Sequence, residues 1–254
     1  MIAIKKILLL TSLLLTAADS MEQMDPPIWP DQWHANFSIE RWGNTWLSQS
    51  KNKGSYHYDW KKGRSLEEHG KGQKDNWCGC ASKKSVECKV LSFNDDPLGE
   101  GEKNPAATYV VMPTLHVCCK LFEGIGGGAL FPYWMKQNEY QGHTNAGDPK
   151  RKCQKWLNPK PGNKALMKGD LWMMDDNGIP CGYRDVFKWW AKSLGFSHDF
   201  AFKESSYSTE VEPSGIFALP EGMDCNRPCP NRSDKFKPWC SSTYPQRSGI
   251  NDEL

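Results

Sequence analysis

Leu171-Trp172-Met173-Met174-Asp175-Asp176-Asn177-Gly178-Ile179-Pro180-Cys181-Gly182-Tyr183 reads as a strand, a turn and a returning strand. The arm that begins at Ala165 to Met167 and runs to Met174 is apolar and strand-length, and Asn177-Gly178 tolerates positive φ between two extended arms. Pro180 keeps a helix from starting at once after the turn. Acidic oxygens beside Gly178 are also compatible with a calcium loop, but position 12 counted from Asp175 is Val186 where a bidentate Glu is needed, so the turn is the better reading.

Strand-like alternation continues towards the N-terminus. From Gln32 to Glu40, Trp33, Ala35, Phe37 and Ile39 share one face, while Gln32, His34, Asn36, Ser38 and Glu40 share the other. Asn36 heads the glycosylation sequon Asn36-Phe37-Ser38, and its outward phase agrees with an exposed acceptor. Tyr56, Tyr58 and Trp60 form a second inward row, opposite His57, Asp59 and Lys61. His34 and His57 read as solvent-facing residues, since no carboxylate or cysteine sits at metal-like spacing beside either. Thr108 to Met112 is a β-branched strand containing Tyr109 and Val111, and Leu115 to Phe122 is another.

Beyond the hairpin, Tyr183 to Trp189 fits a strand, although Phe187, Trp190 and Leu194 also match a helical stripe. We expect strand, followed by another over Phe196 to Lys203 with Phe196, His198, Phe200 and Phe202 on alternate positions. The Pro-rich lead-in 25–31 is expected on the surface, and 63–76, 92–105 and 142–152 are expected as loops. Gly124 to Gly128 lacks a following Gly-Lys-Ser and reads as a flexible turn.

Lys5-Lys6, the apolar run Ile7 to Leu15 and small residues Ala17, Ala18 and Ser20 make residues 1–20 a secretory signal peptide. No later run is apolar for long enough to span a bilayer, so the mature chain has no expected transmembrane segment. Losing Lys5, Lys6 and Asp19 with the leader leaves 30 basic against 29 acidic residues, which gives no electrostatic case for a nucleic-acid partner.

The ten cysteines are Cys78, Cys80, Cys88, Cys118, Cys119, Cys153, Cys181, Cys225, Cys229 and Cys240, an even set that means disulfides in an oxidising lumen. Spacing does not give the connectivity. On a strand, however, Cys118 and Cys119 point to opposite faces and need different partners, and Cys78 and Cys80 should likewise diverge. Residues 226–254 read as a stapled tail with a second sequon at Asn231. Its end, Asn251-Asp252-Glu253-Leu254, resembles receptor-read retrieval signals. The endoplasmic reticulum lumen, with its retrieval receptor as partner, is therefore the expected address, and secretion is the alternative.

Tyr56-His57-Tyr58-Asp59-Trp60 with Arg64, Tyr140-Gln141-Gly142, Cys153 with Trp156, Asp175 to Pro180, Arg184, and Ser214-Gly215-Ile216-Phe217-Ala218-Leu219-Pro220 with Cys225 follow one another as in ependymin-related proteins, which the chain resembles from Pro30 to Cys225. The resemblance implies a secreted, disulfide-bonded glycoprotein over residues 21–225, mostly β, with curved antiparallel sheets forming a half-open barrel or sandwich around a hydrophobic cavity, few helices, and a fold similar to bacterial lipoprotein carriers. It also implies lipid-like ligands, calcium association and a homodimer, with no catalytic residues.

The cavity candidates are Trp33, Phe37, Tyr56, Tyr58, Trp60, Tyr109, Val111, Trp172, Met174, Phe200 and Phe202. The function expected is non-enzymatic binding of an apolar small molecule or lipid, with no certain cofactor and no assigned metal site. A luminal module recognising glycans through exposed Trp, or proteins, is the alternative. A thiol-dependent enzyme using Cys78 with Cys80, or His116 with Cys118, has no supporting context.

Overall fold

Alternation directs the first pairing. In the computed structural model, β1 (Gln32–Ile39) lies antiparallel to β2 (Asn52–Asp59) with Trp33 opposite Tyr58 and Ala35 opposite Tyr56, so the two aromatic rows share one face, called inner below. The structure describes residues 25–39, 52–72, 75, 77–94, 106–123, 131–158, 167–187 and 199–230. The leader, Asn231, Cys240, the retrieval-like end and the glycine cluster at Gly124 lie outside these residues, as do Phe196 and His198.

The meander continues through β3 (Arg64–His69), β4 (Cys88–Phe93), β5 (Ala107–Met112) and β6 (Val117–Glu123). A second meander runs through β7 (Glu139–Ala146), β8 (Arg151–Asn158), β9 (Met167–Met174), β10 (Pro180–Phe187) and β11 (Asp199–Phe202). The two join where β11 pairs β1, giving one curved, open, fully antiparallel sheet in the order β6-β5-β4-β3-β2-β1-β11-β10-β9-β8-β7. That seam is short, with Phe37, Ser38 and Ile39 opposite Phe202, Ala201 and Phe200.

The hairpin of β9 and β10 forms with a longer turn than Asn-Gly alone suggests. Gly178 takes φ +75° and Asn177 stays at negative φ. The Asp175 carboxylate closes the turn by accepting from the backbone N–H of Asn177 and of Ile179, both at 2.9 Å. Arg151 on β8 holds the other carboxylate oxygen at 3.2 Å.

Three expectations are corrected. Residues 64–69 are strand, not loop; the pattern is hidden because inner positions Ser65 and Glu67 are polar while outer Leu66 is buried. Much of 142–152 is also strand, since β7 is a sheet edge whose side chains are half-buried or exposed, which leaves no apolar row to read. The lead-in does not stay on the surface, because Trp29 is buried in the core.

The inner face has two halves. Aromatics of β1, β2 and β8–β11 form one core, and Val90, Val110, Met112, Leu121 and Phe122 form another under the four-residue helix Cys78–Ala81. On the outer face, Leu66, Leu91, Tyr109 and Val111 lie beneath Phe217. Disulfides follow these faces. Cys118 bonds Cys225 on the outer side and Cys119 bonds Cys229 on the inner side, while Cys78 bonds Cys88 and Cys153 bonds Cys181 across β9. Cys80 is disulfide-bonded too, and no described cysteine is free. The edge of β6 is covered by the segment leading to Cys229, since the Lys120 backbone N–H donates to Arg227 O at 2.8 Å.

Gly54 faces Phe37 across the β1–β2 pair, and a Cβ there would lie 2.6 Å from the ring Cζ and collide with the Glu68 carbonyl. Gly54→Ala is expected to lower the unfolding free energy by about 2–3 kcal/mol in urea titration. Gly215→Ala, with open space around the new methyl, should change it by less than about 0.5 kcal/mol.

Candidate functional site

Eight of the eleven cavity candidates, Trp33, Phe37, Tyr56, Tyr58, Trp172, Met174, Phe200 and Phe202, come together in the inner aromatic core, and Trp60 packs against its rim. Tyr109 and Val111 do not. Their neighbours Val110 and Thr108 point inward, so alternation sends both candidates to the outer face beneath Phe217.

Sequence reasoning missed the residues that occupy the centre. Trp29 touches Trp33, Tyr58, Trp134 and Trp172 edge to face, with ring centroids 5.0, 5.1, 5.4 and 4.9 Å away. Edge-to-face contact puts the positive edge of one ring on the negative face of another, which adds about 0.5–1.5 kcal/mol per pair to plain burial. Trp134 and Met135 arrive on the one-turn 3-10 helix Trp134–Gln137, and Trp156 arrives on β8. The aromatic rows therefore meet one another through this insert, where the sequence suggested an open hollow. A visible clue was the aromatic density of Phe131-Pro132-Tyr133-Trp134, a segment with no alternation of its own.

The insert comes from segments outside the sheet. The Trp29 backbone N–H donates to Pro132 O at 2.9 Å, so the lead-in and the 131–135 segment dock as one unit. At the seam, Phe37 stacks on Phe200 at 4.4 Å, and Phe202 lies parallel to Trp172 at 6.3 Å. Burial, reinforced by Tyr56, Asp31 and Asp59, pushes the Tyr58 pKa well above the ordinary tyrosine value. The indole N–H groups of Trp29 and Trp172 are buried with no acceptor. Each such donor costs about 1–3 kcal/mol relative to a satisfied one.

The outer face is chemically different. A recess of about 150 Å³ there is lined by Thr144, Lys150, Lys155, Arg184 and Asp199 among others, with Arg184 paired to Asp199 at 2.9 Å. Its charged rim does not suit an apolar guest. His34 and His57 lie on the outer face, but they are half-buried beside Glu212 and not solvent-facing as the sequence suggested, because a carboxylate 155 residues from His57 covers them; Asn36 of the first sequon is exposed on the same side. Burial pushes the His57 pKa below its ordinary value, outweighing Glu212 and Glu68, which hold it up. The bond between Cys78 and Cys88 leaves Cys78 and Cys80 unable to act as a dithiol pair, and His116 lies beside Cys118, which is itself bonded to Cys225. Among the described tryptophans, Trp60 and Trp77 are half-buried and the others are buried. No helix among the described residues is long and apolar enough to cross a membrane.

No family model matches the sequence, and no curated protein matches it. The ependymin-like order of motifs is thus not matched by these wider comparisons. Among solved structures, an uncharacterized conserved protein from Thermus thermophilus aligns over 76% of this chain and 87% of its own at 6% identity, with a TM-score of 0.43. A LolA superfamily protein from Nitrosomonas europaea aligns over 74% of this chain and 90% of its own at 10% identity, with a TM-score of 0.34. At TM-scores under 0.5 neither likeness extends to function.

Removing the central ring tests the packing directly. Trp29→Ala is expected to cost about 3–5 kcal/mol, read as a lowered denaturation midpoint. Ile28→Ala, one residue away but 71% exposed, should leave the midpoint within error.

Proposed function

We propose that this is a non-enzymatic protein of the secretory pathway that holds a long-chain, lipid-like ligand against the inner aromatic face, with Trp29 and the Trp134–Met135 turn moving aside to admit it. The observation that carries the reading is the insert itself. The centre of a curved sheet is filled by side chains from two loop segments docked on each other, and two buried indole donors there, Trp29 and Trp172, have no acceptor. An ester or carboxylate oxygen reaching the Trp172 indole would satisfy that donor while its chain replaces the displaced rings.

Magnitudes narrow the ligand class. Two tryptophans bury roughly 400–500 Å², worth on the order of 10–12 kcal/mol at about 25 cal/mol per Å². At about 0.8 kcal/mol per buried methylene, a guest needs roughly 12–15 methylenes to offset their release. A small aromatic compound falls short of that, and a long acyl chain meets it. The leader, the cysteine content and the retrieval-like end support a luminal or secreted address. Calcium association and a homodimer remain implications of the ependymin-like motif order alone.

Native mass spectrometry and solvent extraction of the mature protein, purified from a secretory host, should find acyl lipid bound at one per chain. Delipidated protein should take up a brominated C16–C18 fatty acid, with quenching of tryptophan emission as the inner-face indoles meet bromine. A chain that emerges empty and whose emission is unchanged by the brominated acid would overturn the reading.

A further inference from the structure

On the outer face, His34 and His57 occupy directly opposed positions of β1 and β2. The backbone N–H and C=O of His34 turn away to Ser208, with N–H to O distances of 2.9 and 3.0 Å, so this is a pair without hydrogen bonds between the two strands. Such pairs bring side chains closest, and the imidazoles stack with centroids 5.7 Å apart. The same contact with Ser208 starts a strap that crosses both strands. Gln32 Nε2 donates to Thr209 O at 3.1 Å, and Phe217 ends the strap beneath the Arg64 guanidinium, 4.2 Å from the ring centre. Between these anchors Glu212 projects over the two rings, its Oε1 lying 2.7 Å from His34 Nδ1 and 3.2 Å from His57 Nδ1.

We propose that His34, His57 and Glu212 form a zinc-binding site on the outer face, with the fourth position open to solvent or an exchangeable ligand. One donor atom from each residue lies within 4.8 Å of the others. Tetrahedral zinc with bonds of about 2.0–2.1 Å needs donors about 3.3 Å apart. The His57–Glu212 pair, at 3.2 Å, already meets that spacing, and the His34–Glu212 pair, at 2.7 Å, has to open by about 0.6 Å.

Hydrogen bonding prepares His57 for this role. Ser55 Oγ donates to Glu68 Oε2 at 3.0 Å and therefore accepts from His57 Nε2–H at 2.9 Å. Lys89 pairs with the other Glu68 oxygen at 2.7 Å and holds that carboxylate charged. His57 Nδ1 also lies in hydrogen-bonding geometry to Glu212 Oε1 at 3.2 Å and donates to it when it carries the proton, so a zinc ion would take the place of that proton between the two atoms. His34 Nδ1 is close enough to Glu212 for an ion pair, yet the oxygen lies off the line of a ring N–H, so no hydrogen bond forms there. A carboxylate reached through a hydroxyl behind a ligating imidazole is the outer-shell arrangement that fixes the tautomer and raises ligand basicity.

The donor set selects the ion. Two imidazoles and one carboxylate suit zinc, whereas calcium takes six to eight oxygens and magnesium an octahedral oxygen shell. Partial exposure of His34 and Glu212, at 26% and 22%, leaves an entry path. Bound zinc would tie the strap to β1 and β2, on the face opposite the aromatic core, so the site stands apart from whatever occupies that core.

The test is zinc titration of the chelator-treated mature protein against a chromophoric competitor, without reductant. One zinc per chain is expected. Glu212→Gln and His57→Ala should weaken it at least about tenfold, and Ser55→Ala by about tenfold through the ligand it orients. His143→Ala, distant in the sheet on β7, should bind like the parent. Zinc should also raise the melting temperature of the parent and not that of Glu212→Gln, a surface change that keeps the fold. No uptake at micromolar free zinc, or equal uptake by Glu212→Gln and the parent, would overturn the site.

Discussion

Trp29 in edge-to-face contact with four other aromatic rings is the interaction on which the sheet's two halves depend. The six-stranded and five-stranded meanders share a strand seam of three residue pairs, continued past β11 by Lys203 bonding to Asn36 and Ser208 to His34. Trp29 touches Trp33 and Tyr58 on one side of that seam and Trp172 on the other, so its ring acts as the spacer that sets curvature. Phe37, Phe200 and Phe202 close the seam behind it. Disulfides do a different job. They join Cys118 and Cys119 on β6 to Cys225 and Cys229 in the segment that follows Phe217, and β8 to β10, so none of these bonds links a strand of one half to a strand of the other.

Trp29 and Trp134 come from segments outside the strands, so they fill the centre of the sheet without taking part in its ladder. The two buried indole donors mark where the filled state is least satisfied. On the other face, beside the apolar patch beneath Phe217, lie the Asp59–Arg64 pair at 2.9 Å, the Glu68–Lys89 pair at 2.7 Å and the His34, His57, Glu212 group. One sheet thus separates an apolar interior from a face suited to ions.

Alternation made β1 and β2 legible, because Trp33, Phe37, Tyr56 and Tyr58 repeat with period two and polar residues fill the gaps. The divergent partners of Cys118 and Cys119 were legible for the same reason. β3 and β7 were not. The inner positions of β3 are polar, and β7 is an exposed edge, so neither carries the apolar rhythm that announces a strand. Tyr109 looked equivalent to Tyr56 because period two fixes faces within a strand and says nothing of phase between strands far apart in the chain. Trp29 was hidden by its Pro-rich surroundings, and Glu212 lies 155 residues from His57, a juxtaposition that exists only once the strap crosses the sheet.

An exchangeable aromatic interior, held shut by Trp29 and Trp134 until an acyl chain replaces them, is open to test by a crystal structure of the delipidated protein saturated with a C16–C18 fatty acid. The expected structure has an acyl chain running between β1 and β9, with the Trp29 and Trp134 rings swung out of the core and the strand register unchanged. An interior still filled by both rings, with the fatty acid elsewhere or absent, would contradict it.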